Sequence, residues 1–140
     1  MYDKGMKMTT KSEYACLALL ELSEHYGEGM IKIDDIAQRR GIPKKYLEQI
    51  VLLLSKAGYV RSKRGIEGGH ELAKSPRQIS LAEIIRLMDG ALAPVGSVSK
   101  YYYHNTPIEQ SRALVNLMTD IRDYTSRILE KTTFADLVEG

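Results

Sequence analysis

Residues 36–72 carry, in unbroken order, a short helix, a glycine turn, a cationic helix and a glycine-rich hairpin, and this order constrains the chain more than any other feature. Ile36 and Ala37 face inward on the short helix, which ends at Gly41, a residue free to take the positive φ of a tight turn. Ile42, Leu47 and Ile50 then return to the same core. Pro43 stands where a second helix begins and its missing N–H costs nothing, so the spacing predicts a helix over 43–58. Residues 59–61 and 70–73 read as strands, with Gly65, Gly68 and Gly69 shaping the turn between them. The pattern predicts a mainly α fold, a winged helix-turn-helix with its wing over 61–72.

Charge gives that segment a partner. Between Arg39 and Arg64 stand eight cations, Arg39, Arg40, Lys44, Lys45, Lys56, Arg61, Lys63 and Arg64, against Glu48 alone. A duplex phosphate backbone is the natural counter-charge. On the second helix Lys44 and Lys45 sit at a phosphate-binding N-terminus, Gln49 can pair with adenine, Glu48 can accept from the cytosine amino group, and Tyr46 can reach phosphate or base. Lys63 and Arg64, at the hairpin tip, are suited to phosphate or a narrow minor groove.

The remainder of the chain divides into scaffold and something else. Thr10 and Glu13 form a capping box ahead of a first helix buried on more than one side, with Ala15, Leu19, Leu22 and Tyr26 along one face. Ser80 and Glu83 form a second box for a helix that halts at Gly90. Residues 91–105 form a loop holding Tyr101, Tyr102, Tyr103 and His104, a candidate effector site, although a lone histidine among tyrosines is more often a surface or dimer-packing feature. Thr106 and Glu109 form a third box for a long helix, on which Leu114, Leu117, Ile121, Tyr124 and Ile128 recur at steps of three and four. That seam needs a partner, and a second copy of the chain supplies one. Thr133 and Asp136 cap a last short turn. The implied division is a DNA-binding domain over 1–90, an effector or linker loop over 91–106, and a dimerisation helix with its tail over 107–140.

Several classes are disfavoured. No apolar run is long enough for a membrane helix, and residues 1–7 lack a signal-peptide stretch, so the expected compartment is the cytoplasm. The one cysteine, Cys16, stands among Ala15, Leu17, Ala18 and Leu19 and reads as core rather than as a redox switch. There is no nucleophile elbow, no phosphate-binding glycine loop and no grouped histidine set, which argues against an enzyme and against a metal site.

Met6-Lys-Met-Thr-Thr-Lys-Ser-Glu-Tyr-Ala15, Tyr46-Leu-Glu-Gln49, Lys63-Arg-Gly-Ile-Glu-Gly-Gly-His70 and Ile79-Ser-Leu-Ala-Glu-Ile84 together resemble the Rrf2 family of bacterial repressors. The resemblance runs from Met6 to Val138. It implies a winged helix, a homodimer built on the long C-terminal helix, an imperfectly palindromic DNA operator, and DNA contact by Tyr46, Glu48, Gln49 and Arg64. Many members of that family hold an iron–sulfur cluster on three cysteines before the dimer helix. Residues 97–112 here contain none, and Ser97, His104 and Thr106 supply at best one good nitrogen. The expectation is a regulator without such a cluster or other cofactor, answering to a small molecule or a protein. A winged-helix module that acts mainly by holding a partner protein is the alternative.

Overall fold

The computed structural model describes residues 8–90, 92, 96–100 and 102–140. Tyr101 of the expected effector loop lies outside them. Chain order is α1 (Thr10–Glu24), α2 (Ile33–Arg40), α3 (Lys44–Lys56), β1 (Val60–Lys63), β2 (Gly69–Leu72), α4 (Leu81–Asp89), α5 (Arg112–Lys131) and α6 (Phe134–Glu139). Short 3-10 turns lie at Pro76–Gln78, Gly96–Val98 and Pro107–Gln110. Two compact units interleave in sequence: the chain up to Ser12 with Ser80–Thr132, and Glu13–Ile79 with Thr133–Gly140.

The second of these units is the winged helix-turn-helix. On α3, Leu47, Ile50, Val51 and Leu54 are buried at the spacing of one helical stripe. Ile36 of α2 and Ile42 after it are buried as well, and between them Gly41 caps α2 at φ 65°, its N–H bonded to the Ala37 carbonyl. β1 and β2 pair antiparallel, Val60 opposite buried Leu72 at the base and Lys63 opposite Gly69 toward the tip. Ile31 adds a further rung, exchanging both backbone hydrogen bonds with His70 at 2.9 and 2.8 Å. The C-terminal α6 belongs to this unit. Phe134, the sole phenylalanine, is fully buried, and its N–H reaches the Ile79 carbonyl at 3.0 Å. Emptying such a site by Phe→Ala costs about 3–5 kcal/mol.

In the other unit, α4 opens on a complete Ser80–Glu83 capping box and ends at Gly90. Its Leu81 N–H bonds the Thr132 carbonyl at 2.8 Å, and Arg86 meets Glu130 at 2.8 Å, which together fasten α4 to the end of α5. Arg122 of α5 donates to the Val98 carbonyl at 2.9 Å and holds the preceding loop.

Several local expectations are corrected. Thr9, not Thr10, caps α1: its hydroxyl accepts from Ser12 N–H at 3.2 Å and is itself gripped by the Asp89 carboxylate, a partner 80 residues away. Tyr26 leaves the core face because α1 stops at Glu24, and its side chain is about half exposed. The second helix of the motif spans Lys44–Lys56 rather than 43–58, with Pro43 as its N-cap. The wing strands are Val60–Lys63 and Gly69–Leu72 rather than 59–61 and 70–73, set one residue in at the base and extended toward the turn by two residues on β1 and one on β2. Thr106 does not start the long helix. Its hydroxyl bonds Ser97, residues Pro107–Gln110 form a 3-10 turn, and Ser111 caps α5 by accepting from Leu114 N–H at 3.2 Å. At Thr133 and Asp136 the capping box forms as expected.

Candidate nucleic-acid interface

Opposite the buried stripe of α3, Lys44, Lys45, Glu48, Gln49, Leu52 and Lys56 are exposed. Lys45, Gln49, Leu52 and Lys56 recur at steps of three and four and so share one face. Side-chain capping is absent at the helix start, so first-turn N–H groups are available to an anion. Tyr46 differs from its neighbours. It is half-buried, and its ring packs in a T-shaped contact with Tyr14, centroids 5.4 Å apart and planes at 85°, so part of this side chain is structural.

The wing supplies the second part. Lys63 and Arg64 are exposed, and Lys32 donates to the Gly65 carbonyl at 2.7 Å, bracing the tip from the segment before α2. The turn closes by Gly68 N–H to the Gly65 carbonyl at 3.0 Å, and a Cβ at Gly68 would overlap the Lys63 carbonyl. Only glycine permits so tight a return. At the apex Ile66 is 95% exposed.

The eight cations are not equally available. Arg39 and Arg40 both bind Glu21 of α1 at 2.8 Å, and Arg40 also reaches Glu24 at 3.1 Å. Burial pushes the Glu21 carboxyl up, but the two guanidiniums outweigh it and hold the group below its ordinary value. Arg61 pairs with Glu71 at 3.3 Å across the wing. Lys44 meets Asp34 at 2.8 Å, a bond that raises the lysine pKa; both side chains are exposed, so phosphate can displace the carboxylate at little cost. Lys45, Lys56, Lys63 and Arg64 make no ion pair among the described residues. The charge offered outward is therefore smaller, and more concentrated on α3 and the wing tip, than the sequence count suggests. Sequence reasoning missed Glu21, Lys32 and Leu52; for Leu52 the signal was present, since it falls three residues after Gln49 on the polar stripe.

In the other unit the expected seam is largely uncovered. Leu114, Leu117, Tyr124 and Ile128 are 45%, 51%, 62% and 45% exposed, with Ile121 between them half-buried. Of the expected effector residues, Tyr102, Tyr103 and His104 are all exposed. Tyr103 donates its hydroxyl to Glu109 at 2.7 Å, while Tyr102 and His104 are fixed through their backbones, to Ser99 Oγ at 2.9 Å and the Gly96 carbonyl at 3.3 Å. Ser97, weighed in the sequence only as a poor cluster ligand, is the hub of the loop. Its hydroxyl donates to Glu109 Oε2 at 2.7 Å and accepts from the Thr106 N–H at 2.9 Å and hydroxyl at 2.6 Å.

These residues do not fit an iron–sulfur cluster. The loop offers hydroxyls already engaged with one another, and the single cysteine lies buried on α1. One group of metal-ligand type does occur among the described residues: Glu21, Glu24 and His25, whose donor atoms lie within 4.8 Å of one another. A cation there would have to displace two guanidiniums from Glu21, so the arrangement is read as an ion-pair node.

A family model described as an iron-dependent transcriptional regulator, Rrf2, matches residues 8–140. The HTH-type transcriptional regulator CymR of Bacillus subtilis is 35% identical over 132 residues, covering 94% of this chain and 89% of its own. Among solved structures, the oxidized form of Staphylococcus aureus CymR superposes with a TM-score of 0.80 at 31% identity, over 96% of this chain and 98% of that one. IscR of T. potens does so with a TM-score of 0.70 at 33% identity, over 96% and 88%.

Proposed function

Because this chain belongs to the Rrf2 family and is a DNA-binding transcriptional regulator of winged-helix fold rather than an enzyme, we propose that it acts as a homodimeric repressor that reads a palindromic operator through α3 and the wing. The observation that carries this reading is the coincidence, in one unit, of an exposed polar face on α3 and of Lys63 and Arg64, exposed and without an ion pair among the described residues, on a braced wing. In this reading α3 enters the major groove, where Gln49 and Glu48 meet base edges, Lys44 and Lys45 meet phosphate beside the helix start, and Leu52 meets a thymine methyl. Tyr46 contributes its hydroxyl, its ring being held by Tyr14. The wing lies along the flanking minor groove.

The seam of α5, from Leu114 to Ile128, joins the two copies, and operator half-sites fall about one helical turn apart. The sequence division over 1–90, 91–106 and 107–140 is redrawn so that residues 13–79 with α6 bind DNA, the loop over 91–106 receives an effector, and α5 makes the dimer. Signalling proceeds without an iron–sulfur cluster, for which the loop lacks thiolates. As a regulator of DNA it works in the cytoplasm; no described helix is long and apolar enough to cross a membrane.

Selection from a pool of random-sequence duplexes tests the proposal. The expected result is an inverted repeat whose affinity falls about 10³-fold or more between roughly 50 and 200 mM salt, as six or more phosphate contacts require. Failure to retain any duplex at low salt would overturn it.

A further inference from the structure

The loop and the first turns of α5 border an open cleft of about 230 Å³, lined by Ser97, Tyr103, Glu109, Arg112, Val115 and Asn116. One wall is a fixed negative charge. Glu109 Oε2 accepts from the Ser97 hydroxyl and the Tyr103 hydroxyl, each at 2.7 Å, and these bonds hold the carboxyl below its ordinary value. Another wall is a cation: Arg112, the first residue of α5, makes no ion pair among the described residues. Glu109 and Arg112 are only three residues apart, yet the 3-10 turn and the Ser111 cap separate them, and they form no ion pair with each other. Asn116, whose side chain makes no hydrogen bond among the described residues, adds an amide, while Val115 and the Tyr103 ring add apolar surface.

A simple anion entering this cleft would face Glu109, and a simple cation would face Arg112. A molecule that carries both charges on substituents of one carbon satisfies each wall and gains two charge-assisted hydrogen-bonded pairs. We propose that the cleft binds a free α-amino acid, its ammonium group on Glu109, its carboxylate on Arg112 and Asn116, and its side chain against Val115 and Tyr103. The inference rests on the reading of this loop as the effector-receiving part and names the class of ligand it receives.

The test titrates the full-length protein with each of the twenty L-amino acids, by thermal shift and then calorimetry, beside the N-acetyl and carboxamide forms of whichever binds. The expected result is binding of one or a few free amino acids and loss of binding by both blocked forms. Glu109→Gln and Arg112→Gln each weaken binding roughly tenfold or more, the loss of one charge-assisted pair. Val115→Trp, which fills the cleft and keeps both charges, abolishes it. Operator binding without amino acid is measured in parallel. If the wild-type protein binds operator but no free amino acid, or binds the blocked forms equally well, the amino-acid site is wrong and the regulator reading stands. If the wild type binds no duplex, the regulator reading itself fails.

Discussion

Glu21 decides, from inside the fold, how much of the basic segment faces outward. It is 4% exposed and takes both Arg39 and Arg40, which lie 18 and 19 residues along the chain. Removing its charge strands the Arg39 guanidinium and leaves Arg40 only Glu24, both groups partly solvated, so Glu21→Gln is expected to cost about 2 kcal/mol, near the worth of charged hydrogen bonds rather than of a sealed ion pair. The pH dependence follows from the lowered carboxyl pKa. The unfolded chain binds the proton more readily, so this stabilisation is complete above about 4.5 and disappears as pH falls through the folded value. Urea denaturation of wild type and Glu21→Gln should therefore differ near neutrality and converge in acid; a constant difference would show that the pair is not the source. Arg64 makes the opposite case. It is exposed and makes no ion pair among the described residues, so Arg64→Ala should leave stability and oligomeric state intact while weakening operator binding and lowering the salt slope by about one. Arg39→Ala should lower stability and leave the slope unchanged. Anisotropy titrations at several salt concentrations distinguish the two arginines.

Among elements, the wing is held by contacts that its own sequence only partly announces. The turn needs glycine at 68 because the Lys63 carbonyl occupies the space of a Cβ, so Gly68→Ala should distort the tip and cut operator affinity with little effect on the helices. Affinity equal to wild type would remove the wing from the interface. His70 sets a pH limit on the same element. Burial lowers its pKa, so the neutral ring is favoured in the folded wing, and stability is lost as pH falls below the ordinary value of 6.5. Amide exchange in β1 and β2 should then accelerate on acidification beyond the intrinsic trend, and His70→Gln should suppress that excess. The wing and the helix pair were legible because apolar spacing, a proline at the helix start and clustered glycines are local signals. The errors arose where a distant partner overrode a local one. Thr9 displaced Thr10 as a cap because Asp89 anchors it, and Thr106 and Glu109 were drawn to Ser97 and Tyr103 instead of closing a box on each other's backbone. Likewise, no window of sequence around Arg39 contains the carboxylate that engages it.

For the molecule as a whole, the decisive question is what covers α5. This helix has 20 residues, about 30 Å of length, and exposes Leu114, Leu117, Tyr124 and Ile128 at helical spacing. Single exposed apolar side chains are ordinary, but four in register form a stripe that water penalises along most of the helix. A second copy offers the same stripe, and two such stripes related by a two-fold axis are self-complementary. The proposed dimer would also match a palindromic operator, because doubling the α3 and wing contacts would make the second half-site an intramolecular event and raise affinity without any new contact within one protomer. Leu117 stands near the middle of the stripe, where a carboxylate on each copy would be buried opposite its own image. Leu117→Asp should therefore give a monomer in sedimentation. Because Leu117 is already half exposed in the single chain, its thermal midpoint at dilution should resemble that of dissociated wild type. Operator affinity should fall by orders of magnitude, with residual binding to a half-site retained through Lys45, Gln49 and Arg64. A variant that remains dimeric would mean that α5 meets its partner on another face.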